Sequence, residues 1–214
     1  LKTYGVCAQK HEGYFMIRIR IPGGVIRADQ MERIADLAGR FGHGSAHLTT
    51  RGNLELHSVK IDDFLAIRDE LAEVGITTRS ACGHTFRNIL CCHQNGVCPK
   101  QPFDLYPWVQ KIHNHIFERA DVYNPRMPNR MNVSFSGCRD CSADACINDI
   151  GFIAKKVREE DEEDKETYGF ELWAAGSLGK APQFGQKLKE FITFEEIIPA
   201  LEAITELHCS YGDH

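Results

Sequence analysis

The sequence lacks any apolar run that approaches the roughly 20 residues of a membrane-spanning helix. Its opening stretch, LKTYGVCAQKHEGYF, lacks the charged, apolar and cleavage-site pattern of a secretory signal peptide. The formal net charge of −5 is too small to indicate a nucleic-acid or membrane-surface partner. We therefore expect a cytoplasmic protein that binds neither nucleic acid nor a membrane.

A nucleotide-binding fingerprint is also absent. No flavin or nicotinamide fingerprint such as G-x-G-x-x-G occurs in the sequence. Internal repeats and low-complexity tracts are lacking as well. If the protein carries out redox chemistry, we expect its electrons to come from a separate donor.

Cysteine, in contrast, is abundant and clustered. The chain has nine cysteines, and six of them fall between Cys82 and Cys141. In a reducing compartment such clustering indicates metal or cluster ligation more often than disulfides. The alternative is a set of buried thiols that pack as small apolar side chains.

The first part of the chain alternates strand-like and helix-like patterns. GYFMIRIRIPGG and SAHLTTRGNLELHSV have strand character, the second with a bend at Gly52. RADQMERIADLAGRFG predicts a helix between them, and IDDFLAIRDELAEVG predicts another after them. We expect the apolar face of the first helix to carry Met31, Ile34, Ala35 and Leu37. This order of elements indicates a compact α+β unit.

The remainder of the chain begins with a loop-like stretch. Residues 77–102 are rich in Cys, Gly, Asn and His, which suggests a functional loop region. A helix over DLYPWVQKIHNHIFERA, a strand over RMNVSFSG and a C-terminal amphipathic helix are predicted after it. The acidic run REEDEEDKE is typical of a solvated turn, with a partner site as the alternative.

Two short stretches hold the thiols that best suit ligation. CCHQNGVCPK places Cys92 and Cys98 close together, and GCRDC does the same for Cys138 and Cys141. Thiolates are soft ligands for Zn²⁺ or for iron–sulfur clusters. A structural zinc site usually shows two C-x₂-C knuckles, which the C-x₅-C spacing here fits poorly. A four-thiolate iron–sulfur cluster fits better.

Longer motifs carry a more specific resemblance. HLTTRGNLELH, ACGHTFRNILCCHQNGVCP, MPNRMNVSFSGC, INDIGFIA and GFELWAAGSLGKAPQFGQKL occur in that order. Together they resemble the siroheme-dependent sulfite and nitrite reductase family, and the chain is similar to its small, single-unit assimilatory-type sulfite reductases. The resemblance implies an α+β fold: a ferredoxin-like half domain over residues 1–76, then a siroheme and [4Fe–4S] domain over residues 77–214. Larger members contain this unit twice, so we expect a homo- or hetero-dimer.

The resemblance also implies the site residues. Those expected to bind the cluster are Cys92, Cys98, Cys138 and Cys141. Those expected to bind siroheme are Arg51, Arg87, Asn88 and Cys141. Cys141 appears in both sets because one cluster cysteine bridges to the siroheme iron in the family. Those expected to act on the bound anion are Arg51, Arg87, Arg130 and Asn132.

Two departures from the family pattern leave alternatives open. The family usually has two basic residues where this chain has Arg130 and Asn132, and its nitrite reductases commonly have Asn at the second position. The family's G-C-x₃-C is G-C-x₂-C here. Ungapped counting puts Ser142 at the bridging position, with Cys141 one residue early and Cys146 four residues late. We favour Cys141.

The resemblance thus predicts a six-electron reduction of sulfite to sulfide, with electrons from a separate donor such as a ferredoxin. Nitrite reduction to ammonia is the alternative that Asn132 suggests. A non-catalytic iron–sulfur electron-transfer or siroheme-binding subunit is a second alternative, motivated by the altered cysteine spacing. A zinc-stabilised binding module is a third.

Overall fold

The computed structural model describes residues 1–140, 143–158 and 166–212. Cys141, Ser142 and most of the acidic run lie outside the described residues. The described chain folds into two β-sheets, each with its own helices and its own hydrophobic core. The fold class is therefore α+β, which confirms the prediction. None of the described helices is both long enough and apolar enough to cross a membrane.

The first sheet has four antiparallel strands in the order β1-β2-β4-β3. The strands are β1 (Val6–Ala8), β2 (Tyr14–Ile19), β3 (Ala46–Leu48) and β4 (Leu54–Lys60). Two helices, α1 (Ala28–Phe41) and α2 (Phe64–Glu73), contribute to the core of this sheet. Alternating residues of β2, such as Ile17 and Ile19, are fully buried in it.

Helix α1 is rotated relative to its predicted face. Met31 is 44% exposed and Ala35 is exposed, so the prediction was wrong for both. The buried residues of the helix are Gln30, Ile34, Leu37 and Ala38. Gln30 tolerates burial because its side-chain oxygen accepts the Arg27 N–H (3.1 Å) and its amide donates to the Val74 carbonyl (3.0 Å).

The second sheet has five strands in the order β5-β6-β7-β8-β9. They are β5 (Leu90–Cys91), β6 (Val133–Ser136), β7 (Ile150–Arg158), β8 (Glu166–Ala174) and β9 (Gln186–Ile192). The helices of this part are α3 (Tyr106–Glu118), α4 (Ala120–Tyr123) and α5 (Ile197–Tyr211). Aromatic rings fill its core: Phe135 stacks on Phe152 at 4.8 Å, and Phe170 meets both rings edge-on.

The direction of three strands in this sheet positions the thiols. Strands β5, β6 and β7 run parallel, whereas β8 and β9 are antiparallel to their neighbours. Parallel neighbours end at the same edge of a sheet. Cys92 directly follows β5 and Cys138 lies two residues beyond β6, so both cysteines come to that edge.

A buried arginine joins the two parts of the molecule. The Arg20 side chain, which follows β2, is only 3% exposed and donates to the carbonyls of Ser80 (3.2 Å), Phe86 (2.8 Å) and Arg87 (3.0 Å). Its backbone N–H donates to the Thr77 carbonyl. These bonds fix the segment that leads into β5 against the end of β2.

Gly151 provides a test of the packing around β7. A Cβ at this position would lie 2.1 Å from the carbonyl oxygen of Ala145, which is backbone and cannot rotate away. We expect Gly151→Ala to lower the free energy of unfolding by about 2 kcal/mol through overpacking. Urea unfolding followed by circular dichroism measures the change.

Gly39 in helix α1 is the matched control, because a Cβ there would meet nothing within 4 Å. We expect Gly39→Ala to raise stability by up to about 1 kcal/mol, since alanine is the better helix former. An unchanged unfolding midpoint for Gly151→Ala would contradict the packing described here.

Candidate functional site

Three cysteines line one surface cavity of about 340 Å³. Cys92 is held by its backbone N–H, which donates to the Phe135 carbonyl at 2.9 Å, and Cys98 by a bond from its N–H to the Gln94 carbonyl. Cys138 reaches the same cavity from the loop after β6. The structure therefore brings together Cys92, Cys98 and Cys138, as the sequence predicts, in what we call the thiol cavity.

The spacing of these thiols distinguishes between metals. Among the described residues, one set of three His, Cys, Asp or Glu side chains has all its ligand atoms within 4.8 Å of one another, and that set is His47, Glu55 and His57. Cys92, Cys98 and Cys138 are not such a set, so at least two of their sulfurs lie more than 4.8 Å apart. Thiolates at such a separation suit a cluster with several irons.

The structure describes only one of the three candidates for the fourth cluster ligand, which are Cys141, Ser142 and Cys146. Cys141 and Ser142 lie outside the described residues. Cys146 lies in a short 3-10 turn (Ala145–Ile147), where its carbonyl accepts the Gly185 N–H at 2.7 Å. It is half-buried and is not among the described residues that line the thiol cavity.

A second cavity of about 400 Å³ adjoins the first and shares Cys92 and His93 with it. Its walls are the Pro-Gly-Gly turn after β2 and the loop between β3 and β4. The two loops pack glycine to glycine, because a Cβ on Gly52 would lie 3.1 Å from the Gly24 Cα. Both glycines have positive φ, at 73° and 70°, a conformation that residues with a side chain rarely adopt.

Asn88 ties these two loops together. It is fully buried, and its Nδ2 donates to the carbonyls of Ile21 (2.7 Å) and Arg51 (2.9 Å). Its Oδ1 is buried and has no hydrogen-bond partner among the described residues. Asn88 is therefore a positioning residue for Arg51, and its Oδ1 can still accept a hydrogen bond.

Four arginines from both parts of the chain concentrate positive charge around Arg51 and Arg87; the other two are Arg18 and Arg130. Arg51 and Arg87 are half-buried, and burial lowers the pKa of both guanidinium groups. Positive charge on Arg18 and Arg130 lowers each pKa further, and Arg87 has the same effect on Arg51. We call these four residues the arginine cluster.

The arginine cluster has unused hydrogen-bond donors. The Nε atoms of Arg51 and Arg87 are buried without a partner in the described part of the chain. One other donor of Arg87, Nη1, bonds to the Ala81 carbonyl at 3.0 Å. Several positive charges lie close together here, and some of their N–H groups lack an acceptor. This arrangement favours a bound anion.

Asn132 is held by a buried carboxylate. Asp149 Oδ2 accepts both the backbone N–H and the Nδ2 of Asn132, each at 2.8 Å. Burial raises the pKa of Asp149, although these two bonds oppose the shift. The Oδ1 of Asn132 is buried and has no partner among residues the structure describes. Arg130, two residues earlier, is exposed.

Arg18 and Glu55 belong to the site although the sequence analysis did not select them. Arg18 binds the carboxylate of Glu55 through Nε (2.8 Å) and Nη2 (2.7 Å), and its Nη1 lies 3.2 Å from the Cys82 sulfur. Glu55 also contacts His47 and His57, at 3.2 and 3.3 Å. The available signal was the Arg-Ile-Arg stretch at the end of β2, where alternation puts Arg18 and Arg20 on the same side of the extended chain.

Comparisons with known proteins agree with this geometry. Residues 8–74 match the family model described as the nitrite/sulfite reductase ferredoxin-like half domain. Residues 82–214 match the nitrite and sulphite reductase 4Fe-4S domain. The chain belongs to the nitrite and sulfite reductase family. Membership implies siroheme and a [4Fe–4S] cluster as cofactors.

Some relatives in this family are named nitrite reductases and others sulfite reductases. An assimilatory ferredoxin-dependent nitrite reductase of Haloferax mediterranei is 33% identical over 100% of this chain and 37% of its own length. A sulfite reductase [ferredoxin] of Mycolicibacterium paratuberculosis is 28% identical over 93% of this chain and 34% of its own. The chain thus spans little more than a third of these relatives.

Solved structures share the fold. The Mycobacterium tuberculosis NirA protein superposes with a TM-score of 0.82 over 98% of this chain and 40% of its own, at 22% identity. A dissimilatory sulfite reductase I gives a TM-score of 0.79 over 94% of this chain and 64% of its own, at 13% identity.

The described residues fit the two cofactors of the family. Three thiols on one wide cavity suit a cluster with several irons. The unpaired Nε–H groups of Arg51, which lines the adjoining cavity, and of Arg87 suit the carboxylates of siroheme.

The Arg18–Glu55 pair makes stability depend on pH. Burial opposes ionisation of Glu55, but the hydrogen bond and charge of Arg18 outweigh it, so the pKa of Glu55 lies below its ordinary value. A carboxyl group with a lowered folded-state pKa stabilises the fold above its unfolded-state pKa, and the effect is lost as the pH falls through the folded-state value. We expect Glu55→Gln to lower the free energy of unfolding by about 2 kcal/mol at neutral pH.

The difference between wild type and Glu55→Gln should shrink as the pH falls below about 4. Urea titrations at neutral and acidic pH measure it, with the exposed Glu32→Gln as the control. A difference that stays constant over this range would show that the pair does not contribute through ionisation.

Proposed function

We propose that this protein is a siroheme–[4Fe–4S] reductase that converts sulfite to sulfide with six electrons. The observation that supports this most is the adjacency of two features. The thiol cavity shares Cys92 and His93 with a second cavity that Arg51 lines. A site for a redox cluster thus directly adjoins a site that attracts anions.

The residues proposed to hold the cluster are Cys92, Cys98, Cys138 and Cys141. Arg51, Arg87 and Asn88 would hold siroheme, and Cys141 would bridge the two groups. When bound, the cluster and the siroheme iron supply single-electron transfers to the substrate. Everything else in the reaction depends on how the chain positions and neutralises the anion.

The arginine cluster would bind and orient that anion. Guanidinium groups match the oxygens of an oxyanion with paired N–H donors and stay charged at neutral pH. Because the Arg87 guanidinium already donates to the Ala81 carbonyl, and the Arg51 backbone is fixed by Asn88, part of the ordering that binding requires is already in place. Arg130 is exposed, so water can reach the site on its side, and the protons that the reaction consumes would come from that water.

Nitrite reduction is the second candidate. The observation that favours it is Asn132, a neutral residue whose amide is fixed by Asp149. The relative from Haloferax mediterranei is named a nitrite reductase, while the mycobacterial relative is named a sulfite reductase.

The electron donor is proposed to be a ferredoxin, as in the names of these relatives. Basic side chains of Lys100, Arg139, Lys155 and Lys156 line a surface hollow that also contains Cys138. Each of these cations is paired with a carboxylate, so an acidic donor that approaches the cluster here would have to compete with those carboxylates for the cations.

Three further features of the protein are proposals. We propose domains at residues 1–76 and 77–214, and a homo- or hetero-dimer like the paired units of larger family members. We also propose a cytoplasmic location, where ligand thiols stay reduced.

Absorption spectra of the anaerobically purified protein test the proposed function. Siroheme should give a Soret band and a red band that respond to sulfite, together with iron and acid-labile sulfide. With reduced methyl viologen, sulfite turnover should exceed nitrite turnover. A clear preference for nitrite would overturn the sulfite assignment, and an iron–sulfur shoulder without siroheme bands would support an electron-transfer subunit.

Cysteine variants test the proposed cluster ligands. We expect Cys98→Ser and Cys138→Ser to lose most of the cluster iron, because a serine oxygen is a harder and poorer ligand for the cluster. Cys209→Ser is the control, since Cys209 lies in helix α5 and packs against the hydrophobic core. Iron and acid-labile sulfide per chain measure the loss.

The same assay distinguishes the candidates for the fourth ligand. Cys141→Ser should lower iron content as strongly as Cys138→Ser, whereas Cys146→Ser should retain the cluster. The reverse result would transfer the role to Cys146, and retention in both would favour Ser142.

Arg87→Gln tests the anion site. Loss of charge-assisted hydrogen bonds should raise KM for sulfite by about 10- to 100-fold. Arg126→Gln is the matched control, because Arg126 pairs with Glu206 on the surface. Steady-state kinetics with reduced methyl viologen measure both, and an unchanged KM in Arg87→Gln would remove Arg87 from the site.

A further inference from the structure

A buried carboxylate on the second sheet has no part in the anion site or among the proposed cluster ligands. Glu171 lies in β8, and it is only 2% exposed. A charge at this depth is costly unless hydrogen bonds or an opposite charge compensate it. The groups that compensate Glu171 therefore indicate what the residue does.

In the described part of the chain, one of the groups bound to Glu171 comes from the segment that carries the cysteines. Trp173, on the same strand, donates its Nε1–H to Oε1 at 2.6 Å. Arg139 donates from Nη2 to Oε2 at 2.8 Å, and it is the one cation that pairs with Glu171 among the described residues. Arg139 directly follows Cys138 in the sequence. The buried carboxylate thus holds the neighbour of a proposed cluster ligand.

The ion pair is one of several points at which the segment between β6 and β7 is attached to its surroundings. At the beginning of the segment Gly137 packs on Gln101, where a Cβ would lie 3.3 Å from the glutamine side chain. Near its end the Cys146 carbonyl accepts the Gly185 N–H at 2.7 Å. Arg139 lies between these two points, next to the positions proposed to bind the cluster.

A second ion pair beside Arg139 is weaker. Lys100 pairs with Asp140, but both of these side chains are about two-thirds exposed, at 66% and 68%. Water and salt screen such a pair, so it contributes little to holding the segment. The pair with Glu171 is the one with a buried partner.

We propose that Glu171 is a positioning residue of the cluster site, which binds Arg139 and thereby holds Cys138 and the segment leading to Cys141 in place for the cluster. This inference rests on the proposed function, because these two thiols are proposed as cluster ligands there.

The burial of one partner is what makes this pair effective. When Arg139 moves away, the Glu171 carboxylate stays buried in its strand without a counter-charge. Opening the pair is therefore more costly than opening an ion pair on the surface. The Arg139 side chain is itself 68% exposed, so a protease can reach it once the pair has opened.

Anaerobic release of iron from the purified protein to a ferrous chelator tests the proposal. We expect Glu171→Gln to release cluster iron at least about tenfold faster than wild type, because the charge-assisted bond to Arg139 is lost while glutamine can still accept from Trp173. Glu190→Gln is the matched control, since Glu190 lies 3.7 Å from Arg139 but is exposed. We expect less than about a twofold change for it. Equal release from wild type and Glu171→Gln would overturn the proposal.

Variants of Arg139 show whether Glu171 acts through that residue. Arg139→Gln should release iron as fast as Glu171→Gln, and the double variant should be no faster than either, since all three lack the same bond. Arg139→Lys should retain most of the wild-type behaviour, because lysine still supplies a positive charge. Faster release in the double variant would refute a role through Arg139. Because Arg139 is exposed, its variants decide the matter even where Glu171→Gln does not fold.

Brief digestion with trypsin separates failure of this proposal from failure of the proposed function. Trypsin must take up the Arg139 side chain to cleave after it, so cleavage there reports how often the pair with Glu171 opens. We expect this cleavage, located by mass spectrometry, to be at least about tenfold faster in Glu171→Gln than in wild type. Cleavage after Arg126, which pairs with Glu206, should be unchanged.

Wild-type protein without iron would refute the proposed function, and the cleavage rate after Arg139 would still decide whether Glu171 holds the segment. Equal rates in wild type and Glu171→Gln would overturn the present proposal alone.

Discussion

The position of the second part of the chain against the first depends on the hydrogen bonds of the buried Arg20 guanidinium. A buried charge is tolerated when hydrogen bonds offset its desolvation, and three backbone carbonyls accept from the Nη atoms of Arg20, although its Nε has no partner among the described residues. Burial, reinforced by the charge of Arg87, lowers the pKa of Arg20 to about 10, which leaves it protonated at neutral pH. The carbonyls belong to the segment that leads to Arg87 and β5, so the same bonds that satisfy the charge also set the position of the anion-binding residues.

The site follows from that junction and from the parallel strands beyond it. Because β5 and β6 end at one edge, loops that are distant in sequence bring Cys92 and Cys138 to a common cavity. Asn88 holds Arg51 next to this cavity through the backbone rather than through its side chain. The guanidinium of Arg51 therefore keeps donors that are available to a ligand. Positive charge and soft sulfur ligands lie side by side as a result.

Much of this could be predicted from the sequence. Periodicity indicates the main strands and helices, and the C-x₅-C spacing together with the longer motifs indicates the family. What the sequence could not reveal are partnerships between distant residues. Gln30 is buried because two hydrogen bonds satisfy it, which shifts the face of α1 away from Met31. Strand β9 escaped detection because most of its residues are exposed and show little apolar alternation.

The site residues show the same limit. Arg51 and Arg87 stand in recognisable motifs, but Arg18 looks like a solvent-facing residue of an alternating strand until the second part of the chain covers it. Glu55 and Asp149 are acidic residues of no particular pattern, and their roles depend on Arg18 and Asn132 in space.

The distribution of ligands between the two sheets bears on what a change at their junction would do. All the described thiols of the thiol cavity come from the part built on the second sheet, whereas the arginine cluster draws Arg18 and Arg51 from the first. The described ligands of the thiol cavity thus belong to one part of the chain, whereas the arginine cluster needs residues of both. A change at the junction of the two parts would therefore displace the arginines relative to one another while it leaves the described thiols on their common sheet edge.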